Sequence, residues 1–142
     1  MIRLLSRLIP VGVLSIFLVV LIAYLSLDGN PFNVSEMRLF PGADKVIHAL
    51  MYLVLSTVFV FDYARYMYPR KLSIWQTCLC PLCAFVYSLL MEALQAMTDA
   101  GRTADVWDAV ANCLGAVSGF LLIRIFILKW IYGAIGMENV EQ

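Results

Sequence analysis

Four long stretches of this sequence are nearly free of charge, and each is long enough to cross a bilayer. Residues 8–27 contain no Asp, Glu, Lys or Arg at all, and about 20 such residues let a helix traverse the hydrocarbon core. Residues 44–61, 74–97 and 105–131 are similar, with few charged side chains, most of them near the ends. The chain has 142 residues, 63% of them hydrophobic and 14% charged, and its mean hydropathy is +0.87. Too few polar residues exist to clothe a water-facing surface of that size. In lipid the backbone must satisfy its own hydrogen bonds, which leaves helices for a chain like this. The expectation is one all-α domain over residues 1–142, a four-helix transmembrane bundle with helices at about 8–27, 44–61, 74–97 and 105–131.

The segments between the spans fit this reading. Residues 28–43 hold two prolines, two glycines and two asparagines and read as a loop. Residues 62–73 mix three basic residues with three tyrosines, the make-up of an interfacial loop with an aromatic belt. Residues 8–27 read as an uncleaved first helix with Pro10 in its first turn. The apolar core is longer than that of a signal peptide, and no small-x-small cleavage site follows it. The net charge is zero and no basic run alternates with aromatics, so nucleic acid is not an expected partner. Cys78, Cys80, Cys83 and Cys113 sit in apolar stretches, where cysteine behaves as a small hydrophobe.

The polar residues are concentrated. Glu92, Gln95, Arg102, Asp105, Asp108 and Asn112 fall within one short stretch, and Asp44, Lys45 and His48 open the second span. Asp44, His48 and Tyr52 are spaced i, i+4, i+8 and share a helix face. Asp105, Asp108, Asn112, Gly115 and Gly119 form one stripe on the fourth helix, and its Gly115-x-x-x-Gly119 step suits close approach to another helix.

Positive charge gives an orientation. Arg3, Arg7, Arg65, Arg70, Lys71, Arg124 and Lys129 fall on one side, against Arg38, Lys45 and Arg102 on the other. The positive-inside rule then makes both termini cytoplasmic. Two helix starts, one helix end and one loop thereby bring their polar residues to one depth, facing outward, and polar groups at a membrane boundary are costly unless they meet water, each other or a ligand.

Three functions compete for this constellation. A binding site would use Asp44, Lys45, His48, Tyr52, Glu92, Gln95, Arg102, Asp105, Asp108 and Asn112 to hold the polar or anionic head of an amphiphile, with its tail between helices. A membrane enzyme acting on a lipid head group would use His48 as base, Asp44 to orient it, and Glu92 or Asp108 as acid. A structural scaffold would use the same groups only to join helices. No cofactor is expected. A divalent metal on the carboxylates is conceivable chemistry, but no motif points to one. The sequence has neither a glycine-rich phosphate loop nor an H-E-x-x-H helix.

The order of short motifs resembles the VanZ-like family of bacterial membrane proteins. The matching pieces are D-K-x-x-H-x-x-x-Y at Asp44, Lys45, His48 and Tyr52, E-x-x-Q at Glu92 and Gln95, and R-x5-D-x3-N-x2-G at Arg102, Asp108, Asn112 and Gly115. They run in order over about half the chain. Ala100 stands before Gly101 where relatives often carry proline, a departure in the loop. The resemblance implies a multi-pass protein of the bacterial cytoplasmic (inner) membrane. It also implies a cell-envelope role, since the family's namesake is associated with low-level resistance to the glycopeptide teicoplanin. It supplies no ligand and no mechanism.

Overall fold

The computed structural model describes residues 9–27, 42–67, 70–97 and 106–127. Among these residues the chain is all-helical, with four α-helices and no strand. They are α1 (Val13–Leu27), α2 (Ala43–Met67), α3 (Ile74–Met97) and α4 (Val106–Leu122), the last running on into a π-helical turn, Ile123–Ile127. Three of them are long and apolar enough to cross a membrane, namely α2, α3 and α4 with its first π-turn residues.

The first helix is shorter than the sequence suggests. It has 15 residues, about 22 Å of rise, less than the hydrocarbon thickness of about 30 Å. The cause lies just ahead of it. Gly12 has φ +87°, a left-handed conformation that ends a right-handed helix. Pro10 therefore precedes the helix rather than sitting in its first turn, and its carbonyl accepts from the Val13 amide at 3.3 Å.

The second helix is longer than expected. Residues 62–67 continue α2 instead of forming a loop. Asp62 and Arg65 lie one turn apart and pair at 3.3 Å with both side chains only 6% exposed. Asp62 also accepts from the Ser15 amide at 3.1 Å and the Ser15 hydroxyl at 2.7 Å. Arg65 donates to the Ile9 carbonyl and covers the Phe61 ring. Charges that read as loop residues are thus neutralised inside the bundle, where a paired ion is tolerated and a lone one is not.

The start of α3 follows a local rule. Ser73 and Gln76 form a capping box, with Gln76 N donating to Ser73 Oγ at 3.3 Å and Ser73 N to Gln76 Oε1 at 2.9 Å. Pro81 lies inside α3 without ending it.

α2 and α4 form the closest pair. A Cβ placed on Gly115 would strike the Ala49 carbonyl, and one on Gly119 the Leu53 carbonyl. Both glycines are therefore required by backbone contact. The Thr57 hydroxyl reinforces the seam, reaching Leu53 O at 2.8 Å and Gly119 O at 3.3 Å. The pairs 49 with 115 and 53 with 119 ascend together, so the two helices run parallel. α3 runs against them, its Tyr87 ring 6.4 Å from that of Tyr52.

α1 is held at three levels, by Ser15 on Asp62, by Tyr87 Oη on Val19 O at 2.6 Å, and by Gln95 Nε2 on Ser26 O at 2.7 Å. The apolar core lies between, around Tyr52, Leu55, Ala84 and Ala116, and around Val60, Ala64, Cys80 and Ile123. Large apolar side chains such as Phe17, Leu50, Leu82 and Leu114 point outward. Tyr66, Trp75 and Trp107 are exposed near helix ends, as in interfacial aromatic belts.

Candidate functional site

The parallel course of α2 and α4 brings their N-terminal turns side by side. Lys45 and Asp108, on different helices, meet there at 3.1 Å. Lys45 also reaches Asp44 at 3.3 Å. The Lys45 and Asp108 side chains are 35% and 19% exposed, so the pair sits at a rim, half in the protein. Two helix N-termini lie at this end, and each carries partial positive charge. Asp44 and Asp108 occupy the first turns of α2 and α4, where a carboxylate is favoured for the same reason.

Below the rim, His48, Tyr52 and Asn112 are buried. His48 Nδ1 and Asn112 Oδ1 are enclosed and have no hydrogen-bond partner among the described residues. Asp44 does not bond His48 Nδ1, and its carboxylate accepts from Lys45. Tyr52 packs on Tyr87. Gln95 is buried with its amide on the Ser26 carbonyl, which ties the end of α3 to the end of α1. Glu92 is partly buried on α3, one turn before Gln95. Arg102 and Asp105 lie outside the described residues. The bundle thus joins Asp44, Lys45 and Asp108 directly and sets His48 and Asn112 beneath them.

On the outer side of the same seam runs an open groove of about 290 Å³. Its walls are Val46, Ala49, Leu50 and Leu53 from α2 and Ala111, Leu114, Gly115 and Ser118 from α4, with Lys45 at its head. Among the described residues, Lys45 is the one charged residue lining it. From Lys45 to Leu53 the groove extends about 12 Å along the helix. Apart from Gly115, no sequence motif marks these walls. The signal was there in the small residues Ala111, Gly115 and Ser118 at i, i+4, i+7, which leave a channel along α4 once Gly115 sits against α2.

Among the described residues, no group of three or more His, Cys, Asp or Glu side chains is arranged to hold a metal ion. All four cysteines are free, Cys78 and Cys83 exposed and Cys80 buried.

A family model described as VanZ/LLP1 matches residues 5–127, most of the chain. The chain belongs to the VanZ/LLP1 family. No curated protein and no solved structure matches it. Family membership and three long apolar helices together fit a membrane protein. In this VanZ/LLP1 chain the short motifs named from the sequence lie at helix ends. D-K-x-x-H opens α2, D-x3-N-x2-G opens α4, and E-x-x-Q closes α3.

Proposed function

We propose that this VanZ/LLP1 protein binds a membrane amphiphile along the α2–α4 seam, tail in the groove and head group at Lys45 and Asp108. The observation that carries the reading is the groove itself, apolar along its length and headed by Lys45. Its volume of about 290 Å³ lies just below the range of ligand pockets, about 300–1,000 Å³, which suits a segment of one acyl chain. An anionic or polar head meets Lys45 there by sharing it with the Asp44 and Asp108 carboxylates that pair with it, while the N-termini of two parallel helices favour negative charge.

The protein belongs in the bacterial cytoplasmic membrane with both termini inside, so this rim opens to the outer leaflet. That orientation rests on the distribution of Lys and Arg. The amphiphile classes that meet such a rim are an envelope lipid, a lipid-linked cell-wall intermediate and a glycopeptide-type antibiotic with a lipid tail. Sequestering or positioning one of these connects the site to antibiotic resistance.

The test is Lys45→Gln, reconstituted in vesicles of mixed phosphatidylcholine and phosphatidylglycerol and read by lipids retained in native mass spectrometry. The expected result is loss of retained anionic lipid, at least tenfold, with the melting temperature little changed. Equal lipid retention by Lys45→Gln and the unaltered protein would defeat the reading. Turnover of a retained lipid would move the function to a membrane enzyme. Unfolding with no lipid ever retained would leave a structural scaffold.

A further inference from the structure

Behind the Ala49–Gly115 contact the bundle holds two buried polar side chains, each with an atom that no described residue partners. His48 is 9% exposed and Asn112 1% exposed. His48 Nδ1 and Asn112 Oδ1 are both enclosed and unpartnered. Neither residue lines the outer groove. The two come from different helices but lie at one level. Ala49 meets Gly115, His48 is one residue before the first and Asn112 three before the second, which separates them by only about 3 Å of rise along parallel axes. The Lys45–Asp108 pair is the next layer toward the helix N-termini.

A buried polar atom without a partner is costly, and native proteins rarely leave two together. The chemistry of the pair specifies what fits. An amide oxygen only accepts, and an imidazole nitrogen accepts or donates according to tautomer. In the tautomer with the proton on Nδ1, one hydroxyl serves both atoms, accepting from His48 and donating to Asn112; in the other tautomer both atoms accept, and water, with two protons to donate, serves them. An anion would be repelled by the amide oxygen, and an apolar tail would leave both atoms unmet.

We infer that His48 and Asn112 form an interior subsite for a hydroxyl group, set under the Lys45–Asp108 rim and separate from the outer groove. The hydroxyl comes either from water or from a polyol head group bound at the rim. The water form stands by itself, and only the polyol form rests on the amphiphile reading above. Water in such a place makes about three hydrogen bonds, so the site is a fixed element of the fold and not a solvent leak.

The chain contains a single histidine, which gives an unambiguous probe. The full chain, labelled with 15N-histidine, is placed in phosphatidylcholine vesicles, which offer no lipid hydroxyl, and in vesicles of phosphatidylglycerol. Magnetic-resonance correlation from His48 Nδ1 to nearby exchangeable protons is read in both. The expected result is a correlation to water protons in phosphatidylcholine. In phosphatidylglycerol it either stays with water, which keeps the site but denies it to the head group, or passes to the glycerol hydroxyl, which joins site and ligand. No correlation to any hydroxyl proton in either membrane overturns the inference.

Asn112→Leu supplies a second arm. If a hydroxyl is shared, the variant weakens the His48 correlation and lowers the melting temperature by several degrees. An unchanged or raised melting temperature, the outcome when an empty orphan is replaced by a hydrocarbon, contradicts it. Lipid retention measured on the same samples keeps the two readings apart. Lost retention with the water correlation intact removes the amphiphile and leaves the subsite.

Discussion

Gly115 rests against the backbone carbonyl of Ala49, with no room between them for a side chain. That one contact sets the α2–α4 register, lines up Lys45 with Asp108, and leaves the groove on its outer side.

Gly115→Leu should therefore separate the two helices. Overpacking a close contact costs about 1–3 kcal/mol or more, and here the obstruction is backbone, which cannot rotate away. A lowered melting temperature and loss of any amphiphile bound at the seam are expected. Ser118→Ala, in the same groove but on an exposed position, should change stability by less than about 0.5 kcal/mol.

The buried pair at the far end makes a different prediction. Removing Arg65 alone, as in Arg65→Met, leaves Asp62 charged, buried and held only by Ser15. The expected cost is about 3–5 kcal/mol. The double variant Asp62→Leu with Arg65→Met should recover much of that loss, because no lone charge remains. Unfolding measurements on the two singles and the double check this as a double-mutant cycle.

Gln95→Leu should loosen α1 specifically. It leaves the buried Ser26 carbonyl without its Gln95 donor, a penalty of about 1–3 kcal/mol. Hydrogen exchange in residues 20–27 should rise while exchange in α2 and α4 stays slow. A uniform rise across all helices would place Gln95 in the common core instead.

How much of this was legible in the sequence depended on distance along the chain. Helical periodicity alone put Asp44, His48 and Tyr52 on one face and aligned Asp108, Asn112, Gly115 and Gly119 in a stripe, and the glycine step marked that stripe for close helix contact. The capping box at Ser73 is likewise a local signal. The extension of α2 through Asp62 was not legible, because its partner Ser15 lies 47 residues earlier. Charges in an apolar chain read as a loop until their partners are known. The late start of α1 depended on the backbone conformation of Gly12, which its sequence permits but does not require. The groove was hidden for a further reason. It is a space between two helices, and neither helix alone shows it.

The account turns on whether the groove is occupied, and filling it is the most direct measurement. Ser118→Phe places a ring in the channel, while Val86→Phe adds the same ring to an exposed position on α3 that does not line it. Both variants and the unaltered protein are extracted from the same bacterial membranes, and bound lipid is counted by native mass spectrometry. A retained amphiphile is expected on the unaltered protein and on Val86→Phe, and its loss on Ser118→Phe with the fold intact. Equal retention on all three would contradict it, and would move any amphiphile away from the α2–α4 seam.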